Sequence, residues 1–421
     1  MLTKYTKLPN GLPLITVPVA GTEAVCVHVL VRVGSRLENT KQGGLSHFLE
    51  HMMFKGTERR PTARVLTQIL DGLGAEYNAY TTKEYTGYYI KAAADHLPVV
   101  LDVLADMLWY SRCEGVEMER EKKVIVEEIN MYQDNPLMHI GDLLENGVFT
   151  GSTLGKLISG TRDSVVSLNR SQLVNFWQSY YHPKNMLLIA AGKLNSKFPQ
   201  LLNKTFGVKR PQGSLGKFAS FVPQPKKPKV VLHYKDTEQV QLALGFPSYG
   251  WKHKNLLALE LLSIILGGNM SSRLFMRLRE QEGLCYSIRT GTECYQGTGL
   301  FAVQAGLDQK RLPLAISLIR EELEKISSRG VEGDELNRTK EYIKGRFILA
   351  LEDSASQAEW VGKQWFLEDS RETPHQYLSR LQAVEAKSVK QVAQELINFK
   401  KATLALIGPF KKSDTWFKFL K

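Results

Sequence analysis

Two pairs of similar segments recur along this chain at nearly one offset. The stretch LGAEYNAYT at 73–81 resembles EGLCYSIRT at 282–290, and GVEMERE at 115–121 resembles GVEGDEL at 330–336. Gly74 and Gly283 are 209 positions apart, and Gly115 and Gly330 are 215 apart. Two matches in the same order at almost the same spacing point to a domain of about half the chain made twice. A chain of 421 residues is too long for one ordinary domain, which agrees. Between the copies, residues 205–228 are rich in Gly, Pro, Ser and Lys and read as a linker. The expected division is therefore 1–204, a linker at 205–228, and 229–421.

The elements mix strands with helices in each half. AVCVHVLVRVG (24–34) alternates valine with other residues, as a strand does. EYNAYTTKEYTGYYIKAAA (76–94) is dense in Tyr and Thr, which suit a pleated surface. Leu97, Val100, Leu101, Leu104 and Leu108 fall at helical spacing. In the second half, LLALELLSIIL reads as a buried helix, and LPLAISLIREELEKISS and SVKQVAQELINF as amphipathic ones. The fold class expected is α+β, a mainly antiparallel sheet packed with helices in each half.

Composition narrows the function. The net charge is +12, but the basic residues form no long run interleaved with aromatics, which argues against a nucleic-acid surface. No apolar run reaches about 18 residues, so no membrane span is expected. The opening MLTKYTKLPNGLPLITVPV lacks the continuous apolar core of a signal peptide, and a cytoplasmic location is the expectation. Cys26, Cys113, Cys285 and Cys294 are scattered, with no CxxC pair, and read as reduced thiols.

The chemistry concentrates in GGLSHFLEHMMFKG at 43–56. Glycines bound about three turns of expected helix. At about 100° per residue, His51 lies about 40° to one side of His47 and Glu50 about 60° to the other, so all three share one arc. This is a near mirror image of the H-E-x-x-H zinc helix and can serve the same chemistry. Zinc takes neutral imidazoles and a carboxylate with one position left open for water, and a neighbouring carboxylate then accepts the water's proton. His47 and His51 are the candidate ligands and Glu50 the candidate base. A buried histidine pair without metal is the plain alternative, but Phe48, Leu49, Met52, Met53 and Phe54 make this helix apolar nearly all round, and burying three ionisable groups there is costly. A third ligand is sought in EREKKVIVEEINMY (119–132), a helix with its apolar stripe through Val124, Ile125 and Ile129. Glu121 and Glu128 flank that stripe, whereas Glu127 shares a face with Arg120 and Lys123 and reads as solvated. Glu128 is the better inward carboxylate, and Glu121 a supporting one.

HFLEHMMFKGT followed by an acidic helix with VIVEEI resembles the pitrilysin or insulinase-type zinc metallopeptidases, the inverzincins, in their processing-peptidase-like branch. KLPNGLPLITVP, NAYTTKEYTGYY, LGKLISGTRDSV, YYHPKNMLLIAAGKL and GGNMSSRLFMRLREQEGLCYSI extend the likeness over nearly the whole chain. The resemblance implies two homologous α+β domains closing over a cavity. It implies one zinc per chain on His47, His51 and Glu128, with Glu50 as general base and Glu121 supporting the site. It also implies that Arg279 and Tyr286 of the second half reach the substrate, the tyrosine at the developing oxyanion. Asn78, Ala79, Tyr80 and Thr81 match the family's substrate-binding edge strand, which holds an extended peptide by main-chain hydrogen bonds. Leu259, Leu262 and Ser263 stand where a second zinc helix would be, so the second half should bind none. The function expected is a zinc-dependent endopeptidase acting on peptides or unfolded segments, self-sufficient as a homodimer. A non-catalytic structural or partner subunit of a peptidase-like complex is the alternative.

Overall fold

The structure is a computed structural model that describes residues 3–39 and 41–420. It contains two mixed sheets of nearly the same topology. The first orders its strands β1 (Lys4–Lys7), β2 (Pro13–Pro18), β6 (Met186–Gly192), β3 (Ala24–Val31), β5 (Thr86–Ala93), β4 (Glu76–Thr81). The second runs β7 (Lys229–Tyr234), β11 (Thr403–Gly408), β8 (Gln239–Ser248), β10 (Thr298–Asp308), β9 (Cys285–Tyr295). Each has one parallel pair, β2 with β6 and β7 with β11, and is otherwise antiparallel. Leaving out β1, the strands match one for one, so β4 corresponds to β9. The first repeated pair of segments, 73–81 and 282–290, lies just there, and Gly74 and Gly283, ahead of the two strands, both take the left-handed conformation, at φ 60° and 55°.

The polypeptide groups into two compact units, each drawing on both halves of the sequence. The first comprises Met1–Ile129, Leu157–Phe218 and Phe347–Thr373, and the second Asn130–Lys156, Ala219–Arg346 and Pro374–Lys421. Relative to a division at 205–228, a helical segment from each half thus joins the other unit. The segment 208–226 itself forms no helix or strand.

This exchange explains the burial of the central strands. In β3, Val25, Val27, Val29 and Val31 face the first unit's main core, with helices Leu45–Met53 (α1) and Leu97–Tyr110. The alternate residues Cys26, His28 and Leu30 are also buried, because the helix Ser354–Lys363 packs on β3 and β6. Gly362 of that helix lies so near the sheet that an added Cβ would stand 3.0 Å from Leu30 and 3.1 Å from Ile189. In the second unit, Pro136–Val148 packs on β8 and β11, where Ile140, Leu144 and Val148 meet Ala243, Ala405 and Ile407. The opposite face of that sheet carries the larger core, with Leu259, Leu261 and Leu262 of Leu256–Ser263. A strand with both faces covered reads as near-continuous apolar sequence, as β3 and β6 do. No helix among the described residues is long and apolar enough to cross a membrane.

Candidate metal centre

The helix α1 is preceded by Gly44, its N-cap, which sits at φ 90° with no room for a side chain: a Cβ there would come 2.4 Å from Ser159 O. Leu45, Phe48, Leu49, Met52 and Met53 are fully buried and fix the helix's rotation. That rotation turns His47, Glu50 and His51 toward the long helix Gly115–Asp134 (α2) and the strand β4.

His47, His51 and Glu128 each offer a ligand atom, and these atoms all lie within 4.8 Å of one another. His47 Nε2 and His51 Nε2 are 3.3 Å apart. Glu128 Oε1 is 3.6 Å from His47 Nε2, and Glu128 Oε2 is 3.5 Å from His51 Nε2. Zinc with bonds of about 2.0–2.1 Å in a tetrahedron separates its ligand atoms by about 3.3–3.4 Å, so the three side chains already span one face of such a site. His51 Nδ1 lies 2.8 Å from Glu121 Oε1, whose other oxygen lies 2.7 Å from Lys55 Nζ. Glu121 is 4% exposed. A neutral His51 donating Nδ1–H to that carboxylate must present its Nε2 lone pair to His47 and Glu128. Lone pairs and a carboxylate converging in this way demand a cation, and the donor set of two imidazoles and one carboxylate fits zinc.

Without a metal, a proton answers the same field. Burial works against a charged His51, yet the hydrogen bonds and charges of Glu121 and Glu128 outweigh it and raise its pKa to about 9. Glu128 is held well below the usual carboxylate range, first by its hydrogen bonds to His47 and His51. Glu121 is lowered too: burial opposes its charge, but His51 and Lys55 prevail. Glu50 differs. Burial raises it above the ordinary carboxylate value, opposed by a hydrogen bond from Thr81 and by the two imidazoles. Thr81 Oγ1 donates to Glu50 Oε2 at 2.5 Å.

The residues singled out in the sequence for the metal come together here. One detail of the acidic helix is corrected: Val124 is 51% exposed, and the buried side runs through Met118, Glu121, Ile125, Val126 and Ile129. The helix presents its Glu121–Ile125–Glu128 side inward, so Val124, 100° from Ile125, turns out to solvent. Glu127 is exposed, and Arg120 pairs with Glu117. Asn78, Ala79, Tyr80 and Thr81 lie on β4, at the edge of the first sheet. Asn78 Oδ1 accepts from the Ala79 amide at 2.9 Å, and Tyr80 Oη lies 3.2 Å from His28 Nε2 on the far face.

Arg279 and Tyr286 belong to the second unit. Arg279 lies in the π-helical segment Phe275–Gln281 and Tyr286 near the start of β9. The guanidinium carbon stands 4.7 Å from the Phe275 ring centroid and 4.9 Å from that of Tyr286, which is 79% exposed. Leu259, Leu262 and Ser263 are buried in the core of that unit, and no other trio of metal-ligating groups occurs among the described residues.

Two contributors escaped the sequence reading. Lys55, one helical turn beyond His51, could have been found by its i, i+4 spacing. Glu38 could not. It lies six residues before Gly44, too far for a local cap, yet it is buried and accepts from Gly44 N at 2.8 Å and from Ser46 N at 2.7 Å. Burial pushes its carboxyl up to about 7, against the pull of those hydrogen bonds and Lys83.

The chain is similar to known proteins along nearly its whole length. The model of the insulinase family (peptidase family M16) matches residues 15–162, which contain the cluster, and that of the peptidase M16 inactive domain matches 167–343. The uncharacterized zinc protease YmxG of Bacillus subtilis is 34% identical over 410 residues, 97% of this chain and 98% of that protein. An uncharacterized zinc protease of Streptomyces coelicolor is 31% identical over 419 residues, 97% of this chain and 90% of that protein. The crystal structure of a protease from Helicobacter pylori superposes with a TM-score of 0.91 at 24% identity, over 97% of this chain and 99% of that one. With matching family models over most of its length and relatives similar from end to end, this chain belongs to the insulinase, or pitrilysin-type, family of M16 peptidases.

Proposed function

We propose that the chain is a zinc-dependent endopeptidase that hydrolyses peptides or unfolded segments. The observation that carries this reading is the convergence of His47, His51 and Glu128 within 4.8 Å, beside the half-buried carboxylate of Glu50, which is not one of that trio. His47, His51 and Glu128 would hold the ion. When bound, zinc supplies Lewis acidity and brings a water's pKa to about 7. Glu50 then acts as the general base: burial has raised its proton affinity, so it takes a proton from the attacking water and returns it to the departing amine. Glu121 holds the tautomer of His51, and Lys55 holds Glu121.

The remaining assignments follow the family. Tyr286 donates to the oxyanion and Arg279 binds the substrate. The backbone of Asn78, Ala79, Tyr80 and Thr81 pairs with an extended peptide; β4 is an edge strand, as such pairing requires. The reading includes one zinc per chain, a homodimer that needs no second kind of subunit, and a cytoplasmic home, for which four free cysteines speak. A non-catalytic structural subunit has no need of a raised carboxylate beside an intact ligand trio, which is why the peptidase is preferred.

The test is incubation with a mixed peptide pool, with and without a chelator, for the wild type and Glu50→Gln. Cleavage that disappears on chelation, returns with zinc and is lost in the variant is expected. No zinc-dependent cleavage by the wild type would overturn the reading.

A further inference from the structure

Glu50 has two carboxylate oxygens, and the end torsion of a glutamate is broad, so nothing intrinsic to the side chain aims one oxygen at a reacting water. The structure supplies one specific donor. Thr81 Oγ1 gives its hydrogen to Glu50 Oε2 at 2.5 Å, which leaves Oε1 for another proton.

Thr81 is itself tightly placed. Alternation along β4 puts Tyr77, Ala79 and Thr81 on the side facing α1. Tyr77 stacks against Phe54 just beyond that helix, with ring centroids 6.5 Å apart, and Ala79 is buried. Tyr80 anchors the opposite face against Gly87, where a Cβ would come 2.4 Å from its ring. Directly after Thr81, the turn is closed by Thr82 Oγ1, which accepts from Glu84 N and Tyr85 N and donates to Tyr85 O. The partner across the ladder, Thr86, is buried and donates to Val33 O at 2.8 Å.

We infer that Thr81 is a positioning residue for Glu50, its hydroxyl fixing the rotation of the carboxylate and tying the general base to the edge strand that would hold the peptide. The inference rests on the peptidase reading above. The strand that sets the substrate's register also sets the direction of the base, so the two stay aligned if the strand shifts. The side chain of Thr81 therefore serves Glu50, while its backbone remains available to a peptide.

Thr81→Val keeps the shape and removes the donor, and Thr81→Ser keeps the donor. Both are compared with the wild type on an internally quenched peptide chosen from a mixed library by wild-type cleavage. Thr81→Val is expected to lose about 10- to 100-fold in kcat with little change in KM, the effect of a misaimed catalytic group. Thr81→Ser is expected to recover most of the loss. Zinc affinity, measured by chelator competition, stays at the wild-type value in both, since Thr81 touches no ligand. A crystal structure of zinc-loaded Thr81→Val is expected to show the Glu50 carboxylate in more than one rotamer. Wild-type kcat in Thr81→Val, failure of Thr81→Ser to restore activity, or a parallel fall in zinc affinity would each overturn the inference while leaving the peptidase reading intact. A wild type that cleaves no peptide removes both.

Discussion

His51 Nδ1 lies 2.8 Å from Glu121 Oε1, joining two helices across 70 residues of sequence. The contact settles which nitrogen of His51 faces Glu128, and it makes His51 a better electron donor. Removing the carboxylate while keeping the shape isolates that effect. Glu121→Gln is expected to lower zinc affinity about 10- to 100-fold. Lys55→Met, which only loosens Glu121, should lower it less. Competition with a chromogenic chelator measures both, and equal affinity in Glu121→Gln and wild type would remove the supporting role.

The same contact makes metal binding pH-dependent. His51 is raised from 6.5 to about 9 in the metal-free protein, so at neutral pH it carries a proton that zinc must displace. Zinc affinity is therefore expected to rise with pH, by about tenfold per unit for this one proton, until the curve flattens near pH 9. Calorimetry in buffers of different ionisation enthalpy reads the released proton directly. Stability of the chelated protein runs the other way. A folded-state pKa above the unfolded one gives stabilisation that is complete below about pH 6.5 and is lost as the pH climbs to about 9. His51→Gln should flatten that decline in thermal melts of the chelated protein.

Much of the centre was legible because helical periodicity is local. The spacing of His47, Glu50 and His51 fixes their shared arc, and an apolar stripe tells Glu128 from Glu127. The misplacement of Val124 within the stripe shows how little a single apolar residue decides when its neighbours are equally apolar. Beyond local period the sequence gives no purchase. Nothing near 38 announces that Glu38 will reach the amides of Gly44 and Ser46, since that contact depends on how the chain between them folds. Nothing in the periodicity of 347–373 says that this segment packs on β3 and β6 rather than on the sheet of its own half. The duplicated segments at 73–81 and 282–290 fared better, because one topology used twice leaves a left-handed glycine, Gly74 or Gly283, ahead of the same edge strand in each copy, whereas Gly115 opens a helix and Gly330 ends one.

Glu38 makes a prediction about α1 itself. Its carboxylate serves two buried amides at the start of the helix that carries the ligands, where the helix dipole also favours negative charge. Glu38→Ala leaves both amides unpaired, at about 1–3 kcal/mol each. Chemical denaturation of the chelated protein should show a loss of that size, and zinc affinity of the folded fraction should fall as the first turn loosens. Glu38→Gln, able to accept one of the two hydrogen bonds, should lie between. A variant as stable as the wild type would show that these two amides find other partners without it.

Tyr286 offers a test in the other unit that stability cannot confuse. Its ring is 79% exposed and covers the Arg279 guanidinium, so Tyr286→Phe keeps the stacking and deletes only a hydroxyl. Melting should change by no more than about 0.5 kcal/mol, as for other exposed substitutions. If the hydroxyl donates to the oxyanion, kcat should fall by about 100- to 1000-fold with zinc affinity unchanged. Arg279→Lys loses a flat cation that stacks on both Phe275 and Tyr286, and a compact ammonium cannot replace it. That variant should raise KM more than it lowers kcat, because it disturbs binding before chemistry. Full activity in Tyr286→Phe would take the tyrosine out of the reaction and leave His47, His51, Glu128 and Glu50 to account for it alone.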